Sequence, residues 1–411
     1  MTEPTIVDSP PAGRKLDGIQ ALWLQGAILT SFLAASTVPS PLYAVYRGMW
    51  GFSPATLTVI FASYAIAMLA ALLVCGALSD YRGRREVILG SIVLEIGAMV
   101  LFWRADSVGW LLAARILQGV ATGIASSALA AGLVDLNRER GALMNSVAPM
   151  VGLGAGGLGA SLLVQFAPAP TRLVFDVLLL VFAVLLVAAA FLPETARRRG
   201  GAWKSLMPTV AIPAAARSTM LRLLPVNTAQ WAVGGFYLSL GPTLARTVTG
   251  DASPLIGGVM IAALSLTSAA TIALARLVLP RLAMSLGAGG LVAGVLVTLA
   301  GLDAHSATLG LAGTVVAGAG FGAAFSGSVR SLVPLAQPHE RAGLMAGFYV
   351  ASYLAFSLPA IAAGVLAQRL GLEFTAACYG LAVVLLAMTT LLPATLAPMR
   401  RLPSQRPERE S

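Results

Sequence analysis

Apolar stretches of about twenty residues recur along nearly the whole 411-residue chain, each long enough to cross roughly 30 Å of hydrocarbon. Inside a bilayer every backbone polar group must be satisfied within the chain, so only helices or a closed barrel can span it. Barrel strands alternate polar and apolar residues over about ten positions. The runs here are longer and do not alternate, so helices are expected. Charged residues make up 11% of the chain, far fewer than a soluble surface of this size needs.

Twelve spans can be drawn: 19–46, 54–78, 87–103, 108–134, 142–166, 173–192, 222–246, 254–275, 282–302, 307–333, 343–367 and 374–394. The 27 Lys and Arg residues test this count. With both termini on one side, that side holds all of them except Arg47, Arg104, Arg172, Arg246 and Arg369 opposite and Arg115 within a span. This bias predicts that both termini are cytoplasmic, in an inner or plasma membrane. The net charge of +10 therefore reads as membrane orientation, not as a nucleic-acid surface. Cys75 and Cys378 sit within apolar runs, so no disulfide framework is expected. A cleavable leader is not expected either, because the first seventeen residues are polar and the first apolar run is too long.

Residues 196–221 form the long polar interruption, with Arg197, Arg198, Arg199, Lys204 and Arg217 and no acid. The predicted organisation is a tail at 1–17, a six-helix bundle at 18–195, a linker at 196–221, a second bundle at 222–397 and a tail at 398–411. A short surface helix is expected around Met207–Leu221. The halves repeat. Glu139-Arg140-x-x-Leu143-Met144 recurs as Glu340-Arg341-x-x-Leu344-Met345, and Gly119 and Gly123 match Gly318 and Gly322. Parallel six-helix repeats place a substrate site at their interface, near the middle of the bilayer.

Between spans 2 and 3 lies Gly76-Ala-Leu-Ser-Asp80-Tyr-Arg-Gly83-Arg84-Arg85. Gly76 permits close helix approach, Gly83 a tight turn, and Asp80 pairing with Arg84. Span 4 contains Arg115-Ile-Leu-Gln118-Gly119. An arginine at that depth is costly and needs a partner or a wet cavity. Both motifs resemble those of the major facilitator superfamily, although Tyr81 stands where a basic residue is usual. The resemblance implies an all-α membrane protein of twelve transmembrane helices in two pseudo-symmetric six-helix bundles. It also implies that the Asp80 loop latches the halves together when the cavity opens outward, and that Arg115 influences nearby carboxylates.

Glu95 is the one acid deep within a span. It lies about ten residues before the turn between spans 3 and 4, and Arg115 about ten after it, so both sit roughly 15 Å from that turn. Equal depth does not fix which way they face. The arginine would favour an ionised Glu95 and burial a neutral one, a balance that opening to either side would shift. Asp176, four residues after Arg172 at the start of span 6, is a second candidate, with an i,i+4 pair as the simpler reading.

Gly152, Gly154, Gly156, Gly157 and Gly159 follow Pro149 in span 5. They resemble a degraded glycine-proline element of the drug:proton antiporter branch. Paired prolines at Pro39 and Pro41 also resemble that branch, but span 1 carries no acid. Leu192-Pro193-Glu194-Thr195 reads as a helix stop. Since spans 1, 4, 7 and 10 line the path in that family, candidate cavity residues are Gln25, Ser36, Gln118, Asn227, Gln230 and Trp231, with Tyr64 of span 2 beside them. Tyr349 and Tyr353, one helical turn apart in span 11, join them.

His305 and His339 suggest no metal site. There is no phosphate-binding loop to indicate ATP drive, and no cofactor is expected. The expected function is proton-coupled efflux of a small amphipathic molecule by a monomeric transporter, not an enzyme. Coupling is assigned to Glu95, Arg115 and Asp176. Proton-coupled uptake of a sugar, amino acid or organic acid is an alternative, as is a membrane receptor or scaffold without transport.

Overall fold

The computed structural model describes residues 16–196, 210–249, 253–337 and 340–392. Residues 1–15 of the first tail, the second tail, most of the expected linker and His339 lie outside these residues. Among the described residues there is no strand, and the two cysteines are free.

The first half comprises α1 (Gly18–Thr37), α2 (Pro39–Trp50), α3 (Pro54–Cys75), the short α4 (Leu78–Arg82), α5 (Arg84–Trp103), α6 (Val108–Leu136), α7 (Arg138–Phe166) and α8 (Pro170–Ala189). The second comprises α9 (Ala214–Ser239), α10 (Gly241–Thr249), α11 (Pro254–Ala275), α12 (Pro280–Asp303), α13 (Ala307–Leu332), α14 (Arg341–Leu370) and α15 (Leu372–Thr389). Local chemistry sets the starts. Asp17 and Gln20 form a reciprocal capping box on α1. Ser53 caps α3 ahead of Pro54, and Ser253 caps α11 ahead of Pro254.

Eleven of the described helical segments, α1–α2 counted as one, are long and apolar enough to cross a membrane. The twelfth crossing is α9 with α10. Here α9 carries Arg217, Arg222, Asn227 and Gln230, so its hydropathy is low, yet every residue from 229 to 239 is buried. Enclosure by neighbours replaces an apolar exterior. The sequence placed this span at 222–246. The helix instead begins at Ala214, so residues 214–221 belong to it and not to a separate surface helix. Large apolar side chains such as Leu180, Leu277 and Leu385 stand on the outside, as a lipid-facing surface requires.

The first and seventh spans each break near the end farther from the termini. α1 gives way to α2 at Val38-Pro39, and α9 to α10 at Leu240-Gly241-Pro242. Pro41 and Pro242 are 201 residues apart, the offset of the Glu-Arg-x-x-Leu-Met repeat. Proline removes a backbone donor and crowds the preceding turn, which explains both breaks. The glycine repeat has a matching role. Gly119 and Gly123 of α6 pack on the α3 backbone, and Gly318 and Gly322 of α13 pack on that of α11. The chain is thus two six-helix bundles related by pseudo-symmetry.

The halves meet along two seams, α3 with α14 and α7 with α11. Gly152 and Gly156 face α1, whereas Gly154 and Gly157 face Leu266 and Ile261 of α11. The span-5 glycines therefore thin α7 on two faces, one inside its bundle and one across the seam. Contact is tight at the face away from the termini, where Gly258 abuts Ser161 and Gly364 abuts Thr58. At the termini face, an exposed ion pair, Arg276 to Glu139 at 2.9 Å, crosses between the halves.

Candidate functional site

Arg115 is the largest fully buried side chain of the described residues, 1% exposed. α6 carries it to the level where α1 ends, and its Nη1 donates to the Ser36 carbonyl at 2.8 Å. The same nitrogen donates to Oε1 of Gln118, one turn along α6, also at 2.8 Å. Gln118 Nε2 then donates to Oε1 of Glu95 on α5 at 3.1 Å. The guanidinium lies 4.4 Å from the Tyr64 ring centre and 5.8 Å from that of Phe61, within cation–π range.

Arg115 and Glu95 are therefore level, as the hairpin spacing predicts, but not directly paired. Gln118 bridges them, with its carbonyl toward the cation and its amide toward the carboxylate. Glu95 is fully buried and, among the described residues, its Oε2 has no partner; neither has Nε of Arg115. Hydrogen bonds to a charged group contribute about 1.5–3 kcal/mol each, so the Ser36 and Gln118 contacts offset part of the cost of burying the cation. A buried carboxylate oxygen without a partner can take up a proton, a water or another donor. That is the chemistry this arrangement can perform.

Asp176 does not join the network. It is exposed on α8, and Arg172 forms no pair with it but lies 5.3 Å from the Trp103 ring centre. The aromatic face of Trp103 competes successfully for that guanidinium.

The second half contributes a neutral cluster. Asn227 Nδ2 donates to Ser352 Oγ at 3.0 Å, and Gln230 Nε2 to Asn227 Oδ1 at 3.1 Å. The next residue, Trp231, is ringed by Tyr353 at 5.3 Å, Phe321 at 5.9 Å, Phe356 at 6.0 Å and Phe325 at 6.5 Å between ring centres. Tyr349 and Tyr353 do share a face, with rings 6.2 Å apart. Phe356 reaches Phe61 across the seam at 5.2 Å, and Tyr353 packs against Tyr64 and Met68. An aromatic wall thus runs from Trp231 to the rings that hold Arg115. Gln25 is buried against Gly132 with its Oε1 unpartnered, and takes no part in either cluster.

The Asp80 loop is built as expected, but serves its own half. Asp80 and Arg84 form an ion pair at 2.5 Å, and Arg84 also reaches Asp135 at 3.3 Å and Ser79 Oγ at 2.6 Å. Gly83, at φ +101°, makes the turn into α5. The expected latch to the other half is not made among the described residues. Sequence reading missed Glu194, which accepts the backbone N–H of Arg84 at 2.7 Å and of Arg85 at 3.2 Å. It caps α5, whose positive N-terminal end favours a carboxylate. An acid just after the last helix of the bundle was the available signal. Gly76 ends α3 in helical geometry, and an added Cβ there would strike the Leu72 carbonyl.

The family model described as Major Facilitator Superfamily matches residues 26–285. The chain is 34% identical over 177 residues to the MFS antiporter QDR2 of Candida albicans; the match covers 40% of this chain and 34% of that protein. The chain thus matches about a third of the length of that curated relative. Among solved structures, it resembles the human organic anion transporter MFSD10 with a TM-score of 0.65 at 19% identity, covering 93% of this chain and 100% of the other. It resembles the D323A mutant of the nucleoside transporter NupG at 0.71 and 12%, covering 91% and 99%. It also resembles a bacterial homologue of the human lysosomal transporter Spinster, in an inward-facing and occupied conformation, at 0.72 and 13%, covering 94% and 99%. At these identities the structures speak for the fold. With the family model spanning more than half its length and the twelve-helix architecture in place, the chain belongs to the Major Facilitator Superfamily and is a multi-pass membrane protein.

Proposed function

We propose that this transporter exports a small amphipathic molecule in exchange for protons, by alternating access between its two bundles. The observation that carries this reading is the buried Arg115–Gln118–Glu95 chain, which ends in an unpartnered carboxylate oxygen. A fixed structural ion pair would pair the charges directly and satisfy both oxygens. An amide between them lets the carboxylate gain or lose a proton while the arginine keeps its own partners.

The aromatic wall around Trp231, flanked by amide side chains, suits an amphipathic ligand better than a sugar, which demands many directed hydrogen bonds. The partial relative's name, an antiporter, agrees with exchange of two solutes. In this reading the chain is a monomer of an inner or plasma membrane, with both termini cytoplasmic. Residues 18–195 and 222–397 act as rocking units about the linker. The Asp80–Gly83–Arg84–Arg85 loop engages the second bundle only when the cavity opens outward. The close approach of Gly258 to Ser161 and of Gly364 to Thr58 at the face away from the termini supports reading the present state as the opposite one.

The test is purified protein in liposomes with an internal pH-sensitive dye and a panel of amphipathic compounds. Substrate-dependent proton movement is expected in the wild type and lost in Glu95→Gln. Uphill transport by Glu95→Gln at the wild-type rate would remove Glu95 from coupling.

A further inference from the structure

The surface of the second bundle carries a groove between α14 and α15, floored by α9. Its walls are two helical stripes. Pro359, Ala362, Ala363 and Leu366 follow one another at three- and four-residue steps on α14, and Thr375, Cys378, Tyr379 and Ala382 do so on α15. Alanine and cysteine at 362, 363, 378 and 382 are too small to fill the space between the helices, and Pro359 interrupts the hydrogen-bond ladder of α14 beside it. Tyr379 is tied down to the floor, where its hydroxyl donates to the Ala232 carbonyl at 2.8 Å. α9 turns Thr228 and Ala232 toward the groove, and Asn227 and Trp231 toward the polar and aromatic cluster.

The groove holds ≈ 300 Å³ and is open along its side. An apolar cavity of about 150 Å³ takes benzene, so by the same ratio this one has room for about twelve chain carbons. Along α15 it runs from Thr375 to Leu386, about 16 Å at 1.5 Å per residue, close to half of the roughly 30 Å hydrocarbon thickness. It begins three residues into α15, so it lies in the leaflet at the face away from the termini. Its rim residues Ala362, Leu366, Cys378 and Ala382 are exposed, and Thr375 spends its hydroxyl on the Gly371 carbonyl at 2.7 Å. One turn beyond Leu366 the α14 stripe ends in Arg369, exposed in the last turn of the helix. Arg369 enters no ion pair among the described residues, and the acid closest to it in sequence, Glu373 in the first turn of α15, is exposed and does not pair with it.

We propose that this groove binds one acyl chain of a phospholipid from the leaflet at the face away from the termini, with the lipid phosphate at Arg369. The match is one of length and charge. An apolar trough one leaflet deep ends in a free cation at the depth where headgroups lie. The open side lets the chain enter from the bilayer without unthreading the bundle. A neutral lipid would fill the trough but leave Arg369 unused. The site rests on the membrane-spanning architecture and not on the transport reading, and it uses neither Glu95 nor Arg115.

The probe is a phosphatidylglycerol with a diazirine halfway along one acyl chain, added as a trace lipid to nanodiscs that hold the full-length protein. After illumination, cross-linked peptides are mapped by mass spectrometry. The reference surface is α8, where Val177 and Leu180 are exposed seven and ten residues into the helix, the depth of Tyr379 and Ala382 on α15. Labelling should be about five-fold denser on residues 359–366 and 375–386 than around 177–180. Ala362→Phe and Ala382→Phe fill the groove from opposite walls at exposed positions, and each should remove that excess while labelling of α8 stays unchanged. Arg369→Gln should cut the excess about threefold, the size of one exposed charge contact, and should leave labelling by a diacylglycerol with the same diazirine chain unchanged. Thermal unfolding of each variant reports folding, and two filling positions keep the test open if one variant fails to fold. Equal labelling of the two surfaces, or an excess that survives filling in folded protein, overturns the groove as a lipid site. Equal excess with diacylglycerol and phosphatidylglycerol in the wild type, or no loss in Arg369→Gln, overturns the phospholipid assignment.

Discussion

Arg115 and Glu95 lie at the same depth on adjacent helices, yet no ion pair joins them. The Gln118 side chain takes the arginine's Nη1 on one end and the carboxylate's Oε1 on the other. This makes the amide the element that sets how strongly cation and acid feel each other. Gln118→Leu preserves approximate volume and removes both contacts. Downhill substrate movement in liposomes should persist, while uphill movement driven by a pH gradient should fall by at least tenfold, a loss of about 1.4 kcal/mol in coupling. Equal loss of both would mean that Gln118 acts in substrate binding or folding.

Arg115 itself should be more costly to remove. Arg115→Gln leaves Glu95 buried without any cation nearby, and breaking a buried charged network costs about 3–5 kcal/mol. Arg115→Lys keeps the charge but has neither the planar fork nor the stacking surface that meets the Ser36 carbonyl, Gln118 and the Tyr64 ring. Thermal unfolding in detergent should rank wild type above the lysine variant and the lysine variant above the glutamine variant. A lysine variant as stable as wild type would show that charge alone suffices.

How far the sequence anticipated these arrangements follows from what spacing encodes. Helix rise placed Arg115 and Glu95 level, and it could do so because rise is nearly constant. It left azimuth open, so Gln118 was read as lining a cavity when it is the bridge. The breaks after Val38 and Leu240 were half visible: the pair Pro39 and Pro41 was noticed, while Pro242, 201 residues after Pro41, was not. Hydropathy misplaced the start of the seventh span because enclosure, not apolarity, protects α9. Glu194 escaped because its role depends on a contact with residues about 110 positions away, which no local pattern reports.

Glu194 offers a separate check on the Asp80 loop. Its carboxylate satisfies two backbone N–H groups at the start of α5, and loss of a cap costs about 1 kcal/mol. Glu194→Ala should lower the unfolding midpoint modestly and raise hydrogen exchange at residues 84–87 in particular. Asp135→Asn, which weakens the Arg84 contact at a partly exposed site, should do less. Uniform exchange across α5 and its neighbours in Glu194→Ala would argue against a capping role.

The contacts at the face away from the termini make a prediction about motion. A Cβ built on Gly258 would meet the Ser161 side chain, and one on Gly364 would meet Thr58, so each pair is close enough to bridge if the halves sit as described. In a background with Cys75 and Cys378 replaced by serine and alanine respectively, the pairs Ser161→Cys with Gly258→Cys and Thr58→Cys with Gly364→Cys should cross-link under mild oxidation. If opening of this face is part of the cycle, each cross-link stops transport and a reductant restores it. The two pairs lie on different seams, α7–α11 and α3–α14, so they test the motion separately. Arrest by both fits a rigid rocking of one bundle against the other. Arrest by only one would locate the moving gate at that seam, and full activity with both links formed would mean that this face does not open during transport.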